Sequence, residues 1–267
     1  MTDTATPEPF FQRNGDTFAP TRMANGFWGP KDNLHARVMI GLFAHVIEQQ
    51  HGEPDLQPAR LTVDLYRLPD LAPVTVATRI VRQGGRIKVI EAELFSGGVS
   101  SARASCQLLR RTQQPEAPIW SRPAWDAPPP EQTPPAEKPF TEKWEMRPIL
   151  PPGVTAGHHL RAPGPRRTWL REVRPLVDGE AYTPFSRIAT GIDYTSPTSN
   201  AAETGLDFIN SDVTLYLYRL PVGEWVGYEV ADHQSAEGVA VGHCALHDIH
   251  GPVGFSSCAA LAQKRRG

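Results

Sequence analysis

The hydrophobic positions of the chain follow two different periods. From Arg60 to Arg67 apolar and polar residues alternate, with Leu61, Val63 and Leu65 on one face and Thr62, Asp64 and Tyr66 on the other. A period of two predicts a half-buried strand. His35 to Gln50 reads differently: Val38, Met39, Ile40, Leu42, Phe43, Val46 and Ile47 leave almost no polar stripe, which predicts a helix buried nearly all round. Asp32 or Asn33 is placed to cap its start, and His51-Gly52-Glu53-Pro54 ends it. Further strands are expected at 17–21, 74–83, 86–96 and 99–111, with Gly84-Gly85 and Gly97-Gly98 as hairpin turns. Hairpins in series build an antiparallel meander.

This pattern occurs twice. Leu61–Arg111 and Val213–Gln263 superpose at an offset of 152 positions without a gap. Leu65-Tyr66-Arg67-Leu68-Pro69 meets Leu217-Tyr218-Arg219-Leu220-Pro221, and Ser105-Cys106 meets Ser257-Cys258. A repeat this long is a duplicated domain and not a solenoid unit. The second copy is preceded by expected strands at 144–149 and 168–173, a Pro/Gly-rich loop at 151–165, and a helix capped by Thr183 with Pro184 at its first position. Its Ser186-Arg187-Ile188 and Gly191 echo Ala36-Arg37-Val38 and Gly41. Gln113 to Pro139 holds nine prolines, a density that favours an extended, semi-rigid spacer; Trp120 and Trp125 are expected to pack it along the surface. One buried helix wrapped by a long antiparallel sheet is the hotdog plan. The chain therefore reads as α+β, a double hotdog: an N-terminal hotdog domain at 1–112, a Pro-rich linker at 113–140 and a C-terminal hotdog domain at 141–267.

A formal charge of −2, with no basic block beyond Lys264-Arg265-Arg266, argues against nucleic acid as a partner. No apolar run reaches the roughly 20 residues that span a bilayer, and the N-terminal stretch lacks the pattern of a signal peptide. Three cysteines without metal-ligand spacing suggest reduced thiols and a cytoplasmic protein. Exposed sheet faces and edges point to a homo-oligomer. No phosphate loop, dinucleotide fingerprint or nucleophile elbow is present, and no cofactor is expected. His158-His159, His243, His247 and His250 lack partners at metal spacing, so no metal is expected either.

Asp193 is the sharpest chemical candidate, because a carboxylate on an otherwise apolar helix is costly to bury unless it is paired or functional. The competing reading is a helix-end residue bonded to Thr195 or Ser196. Asn210 and Asp212, leading into the second repeat, are polar site candidates; for Asp212 a turn role is the simpler reading. His35, at the start of the first helix, is either a base facing a cleft or a loop residue. The repeat-equivalent pairs Cys106/Cys258 and Arg67/Arg219 are expected to be structural.

Beyond these features the chain resembles a family, the type II acyl-CoA thioesterases and their thioesterase-like relatives, which are double-hotdog proteins. The likeness is carried by Phe18-Ala19-Pro20-Thr21, LTVDLYRLPDLAPV from Leu61, ARASCQLLRR from Ala102, WLREVRPLVDGE from Trp169 and, most specifically, INSDVTLYLYRLPVGEW from Ile209. The resemblance implies a site in which an Asp, a hydroxyl residue and a Gln orient a water toward a thioester carbonyl, with a helix amide assisting the oxyanion. Mapped onto this chain, the Asp falls on Asp193, the hydroxyl position on Asn210, and the Gln on Cys258, or on Ala259 if the last strand slips by one. His35-Ala36-Arg37 stands where relatives carry a Gly-rich helix start, and His35, Arg37 and Gly41 are the expected substrate-binding positions. The implied substrate is an acyl-CoA.

Three readings follow. The first is hydrolysis of an acyl-CoA by an Asp193-positioned water, as a hydrolase of lipid metabolism. The second is a non-catalytic acyl-CoA or acyl-carrier binder, motivated by the replaced hydroxyl and Gln positions. The third is a dehydratase or hydratase that pairs His35 of one half with Asp193 of the other.

Overall fold

A computed structural model of the chain describes residues 7–26, 32–123, 125–136, 142–154, 160, 164–202 and 205–263. The His158-His159 pair and the basic C-terminal triplet lie outside them. The first half starts with the hairpin β1 (Phe11–Asn14) and β2 (Thr17–Pro20), continues through helix α1 (Ala36–His51), and completes four long strands: β3 (Leu56–Leu65), β4 (Val74–Gln83), β5 (Ile87–Ser96) and β6 (Val99–Arg110). The second half repeats the order with β7 (Trp144–Ile149), β8 (Arg167–Glu172), α2 (Pro184–Gly191), a 3-10 turn over Ile192–Tyr194, α3 (Thr195–Asn200) and the short strands β9 (Ala201–Ala202), β10 (Gly205–Leu206) and β11 (Phe208–Asn210). Its long strands are β12 (Asp212–Leu217), β13 (Trp225–Ala236), β14 (Val239–Asp248) and β15 (Gly251–Ala262).

All strands except the β9–β10 hairpin join one 13-stranded sheet, in the order β1-β2-β4-β5-β6-β3-β12-β15-β14-β13-β8-β7, with β11 added on β15. The two halves meet at β3 and β12, which pair antiparallel with Thr62 opposite Thr214. Pairing inside the halves keeps the offset of the sequence repeat: Thr62 faces Ser105 as Thr214 faces Ser257. Likewise Ala77 faces Glu93 as Glu229 faces Ala245. Each half also bulges at the matching place, between Leu94 and Phe95 and between Leu246 and His247, which bends the long strands around the helices. Gly97 and Gly98 take φ of +56° and +77°, the two left-handed positions of a two-residue hairpin turn that glycine reaches without strain.

In α1 every residue from Arg37 to Ile47 is buried. It packs against α2 and the concave side of the sheet in a single apolar core drawn from both halves. The expected cap of α1 is corrected: His35, not Asp32 or Asn33, is the N-cap, its ring nitrogen accepting from the Arg37 amide. In α2 the Thr183 cap and Pro184 stand as expected, completed by a reciprocal bond with Ser186. The sequence Thr-Ser-Pro-Thr-Ser-Asn of α3 was not expected to be helical. Its hydroxyls bond back to the preceding turn, Thr198 Oγ1 to the Tyr194 carbonyl at 2.6 Å and Ser199 Oγ to the Thr195 carbonyl at 2.7 Å, and Pro197 is tolerated in the first turn.

The Pro-rich linker is split in behaviour. Trp125 lies on the outer sheet face, stacked on His247 at 4.4 Å and tilted against Trp169 at 4.9 Å. It fills the space over Gly227, where a Cβ would stand 2.1 Å from the indole. Trp120, expected to pack likewise, is 85 % exposed. Among the described residues no helix is long and apolar enough to cross a membrane.

Candidate active site

Three elements from different parts of the chain converge at the N-terminus of α1. The cap geometry fixes His35 there. The turn over Ile192–Tyr194, which breaks α2 from α3, presents Asp193. Pairing of β11 with β15 places Asn210 opposite Ala260. The Asn210 amide Nδ2 donates to Asp193 Oδ1 at 3.1 Å and to the Asp212 carbonyl at 3.3 Å. The other oxygen, Oδ2, lies 3.7 Å from His35 Nδ1. His35 and Asp193 are each 13 % exposed. The alternative in which Asp193 bonds to Thr195 or Ser196 does not describe its partner: the bond goes to Asn210.

Electrostatics at the site follow from burial. Desolvation pushes the Asp193 carboxyl above its ordinary pKa, opposed by the Asn210 hydrogen bond and the charge of Arg37. Desolvation, with the positive charges of Arg37 and Lys143, holds the His35 imidazole well below its ordinary range. The ring is therefore neutral at pH 7. Because Nδ1 accepts from the Arg37 amide, the neutral tautomer carries its proton on Nε2.

Two cavities meet at this point. One, of about 290 Å³, is walled by Trp144, Met146, Leu170, Leu206 and Phe208 and also reaches Arg37 and Ser196. The other, of about 260 Å³, is bounded by Ala36, Leu65, Arg67, Leu68 and Leu261. His35, Asp193, Ile209 and Asn210 line both. A ligand that fills the two lobes therefore passes the Asp193–Asn210 pair at its middle.

Of the residues expected from the sequence, His35, Arg37, Asp193 and Asn210 come together here. Arg37 is 4 % exposed; it forms a buried ion pair with Glu172, and its guanidinium lies 4.0 Å over the Trp144 ring. Trp144 and Glu172 face each other across β7 and β8, so one cross-strand pair supplies both contacts. Gly41 stands apart. It is the crossing point of the two helices, where a Cβ would lie 2.1 Å from Thr190 Oγ1. Cys258 is also outside both lobes: it is buried in β15, with the Asn200 amide donating to its sulfur at 3.7 Å. Burial pushes its thiol up to about 11, so it carries no thiolate at neutral pH. The slipped alternative, Ala259, gives its amide to Asp212 Oδ1 at 2.7 Å; Asp212 thus has a structural contact, but as the first residue of β12 and not in the turn expected of it.

Sequence reasoning missed Glu172, Ser196 and the aromatic wall of the larger lobe. The alternation of β7 and β8 predicted strands without saying which face they would turn to the site. Of the repeated arginines only Arg219 has the structural role expected of both, bound through Nη2 to Asp248 Oδ1 at 2.7 Å; Arg67 lies exposed on the rim of the smaller lobe. The three cysteines are free and buried. Among the described residues no group of three or more His, Cys, Asp or Glu is placed to hold a metal ion.

Family models match both halves. The acyl-CoA thioesterase N-terminal domain matches residues 25–112, and the acyl-CoA thioesterase C-terminal domain matches residues 110–260. A comparison with curated proteins finds no match. Solved structures share the fold across the whole chain. A candidate thioesterase of Novosphingobium aromaticivorans is 19 % identical with a TM-score of 0.72, over 96 % of this chain and 99 % of that one. The acyl-CoA thioesterase II TesB2 of Mycobacterium marinum is 17 % identical with a TM-score of 0.65, over 96 % and 97 %. The tesB protein of Mycobacterium avium subspecies paratuberculosis is 16 % identical with a TM-score of 0.65, over 95 % and 96 %. Identities this low speak to the double-hotdog fold, and the two domain models, which between them span both repeats, speak to the lineage: the chain belongs to the acyl-CoA thioesterase family.

Proposed function

We propose that this chain hydrolyses an acyl-CoA thioester to the free acid and CoA, using a water activated by Asp193. The observation that carries the reading is the Asn210 Nδ2 to Asp193 Oδ1 bond of 3.1 Å, on the wall shared by the two cavities. In this reading Asn210 holds one carboxylate oxygen and leaves the other to take a proton from water. The water oxygen attacks the thioester carbon, and the oxyanion forms near the first turn of α1, whose amides carry partial positive charge. Collapse of the tetrahedral intermediate breaks the carbon–sulfur bond and releases the CoA thiolate, which takes up a proton. The raised pKa of Asp193 makes it a stronger base than an ordinary carboxylate. The same reading puts the chain in acyl-lipid metabolism, in the cytoplasm, as a homo-oligomer of two hotdog domains with the linker between them. Its test is CoA release from acyl-CoAs of graded chain length. Equal, slow release by the native chain and by Asp193→Asn would overturn it, and tight acyl-CoA binding without turnover would favour a binding protein instead.

A second reading is supported by His35 and Asp193 lining the same two cavities, with Nδ1 and Oδ2 3.7 Å apart, so that both groups face one substrate as acid and base. It predicts reversible hydration of an enoyl-CoA, lost in His35→Ala and Asp193→Asn alike. Absence of any 3-hydroxyacyl product from an enoyl-CoA sinks it.

A further inference from the structure

The repeat-equivalent arginines have different fates. Arg219 makes a two-point ion pair with Asp248, at 2.7 Å and 2.5 Å, and a third bond to the Gly251 carbonyl at 3.1 Å. Asp248 has no exposed side-chain surface. In the first copy the residue 152 positions before Asp248 is Ser96, so Arg67 has no carboxylate at that place. It lies exposed on the rim of the 260 Å³ lobe, whose inner wall is His35, Asp193 and Asn210. The 290 Å³ lobe beyond is walled mainly by aromatic and aliphatic side chains, and the arginine on it, Arg37, is already paired with Glu172. At the far side of that lobe a third depression of about 470 Å³ shares Ala201 and Phe208 with it. Arg166 there is already bound to main-chain carbonyls, at 3.0 Å for Thr198, and shares the depression with Asp232. An anion is therefore better served at the Arg67 end than at the other.

We infer that the site takes a phosphopantetheinyl thioester in one direction, with the phosphate-bearing arm passing Arg67, the thioester stopping at Asp193 and Asn210, and the acyl chain lying in the 290 Å³ lobe. The assignment rests on the thioesterase reading for the position of the thioester, but its anion contact does not. The mostly apolar wall of the 290 Å³ lobe suits an acyl chain without a charged terminus. Arg67 is an anion-binding residue and takes no part in bond breaking.

The test is calorimetric binding of CoA, 4′-phosphopantetheine and pantetheine to the native chain and to Arg67→Gln, with circular dichroism confirming the unchanged fold expected at an exposed position. CoA is expected to bind about tenfold tighter than pantetheine, the gap closing with added salt. Arg67→Gln removes the gap and leaves pantetheine binding unchanged. Phosphopantetheine matching CoA assigns the contact to the phosphate shared with carrier-borne substrates; phosphopantetheine matching pantetheine assigns it to the nucleotide phosphates. Equal binding of CoA and pantetheine, or CoA affinity indifferent to Arg67→Gln, overturns the inference. A second variant, Ala201→Phe, fills the acyl lobe from its far end and is expected to move the preferred acyl chain shorter by about two carbons or more while sparing CoA binding; loss of CoA binding instead means the direction is reversed. Arg67-dependent CoA binding without CoA release from any acyl-CoA removes the hydrolytic reading and keeps the direction.

Discussion

Thr62 and Thr214 are equivalent residues of the two repeats, and they face each other across the seam between β3 and β12, with the Thr214 hydroxyl donating to Thr62 Oγ1 at 3.2 Å. A residue that pairs with its own copy marks an approximate twofold axis, so the halves are joined by continuous sheet and not by a flexible hinge. The halves are therefore expected to unfold together. Denaturation followed by far-UV circular dichroism and by tryptophan fluorescence should give one coincident transition. Two separated transitions would mean that the seam contributes little.

Asp193 carries a double prediction. Asp193→Asn keeps the shape and the bond partner but removes the base, and should lower kcat at least about 100-fold, in the range typical of a lost general base. The native carboxyl has its pKa raised by burial, so ionising it opposes folding once the pH rises above the unfolded value. The Asn variant should therefore match or exceed the native Tm at pH 7. The sign also sets the pH profile: the active carboxylate is lost as pH falls through the raised pKa, so the acid limb of kcat lies above the ordinary carboxylate range and disappears with the residue.

Gly41 tests the crossing of the helices. A Cβ there would stand 2.1 Å from Thr190 Oγ1 and 3.1 Å from Thr190 Cβ, on a side chain that is itself bonded to the Ser186 carbonyl at 2.8 Å. Gly41→Ala is expected to destabilise by about 2–3 kcal/mol through overpacking, although alanine is the better helix former. Thr190→Ala in the same chain should recover a large part of the loss in chemical denaturation. Full additivity of the two changes would show that the residues do not compete for one space.

The linker makes a pH-dependent contribution through His247. The imidazole, under Trp125, is pushed down to about 4 by burial, with Arg122 and Arg167 adding to the shift. A lowered folded-state pKa gives stability that is complete above about 6.5 and is lost as pH falls toward 4, because only the unfolded ring takes the proton in that interval. Trp125→Ala is expected to cost about 2 kcal/mol and to let the His247 resonance titrate nearer its ordinary value in an NMR pH series. An unmoved titration would show that the indole does not control the ring.

What the sequence determined by itself is the part of the protein that repeats. Alternation at Leu61, Val63 and Leu65, the apolar surround of α1 and the glycine pairs at the turns are local properties, and the 152-residue offset of the strands reappears in their pairing and in the seam. Asp193 and Asn210 were legible for the opposite reason: they are polar where the pattern, or the other copy, calls for apolar. Tertiary structure alone decided who meets whom. Glu172 reached Arg37 across 135 positions of sequence, and Gly41, which looked like a binding position, became a helix contact because Thr190 arrives there. Cys258 turned to Asn200 and not to the cavity. Arg67 and Arg219 are identical in motif, yet the fold gave a carboxylate to one and a cavity rim to the other. Burial and hydrogen bonding depend on residues distant in the chain, and their free energies exist only once the sheet has closed around the helices.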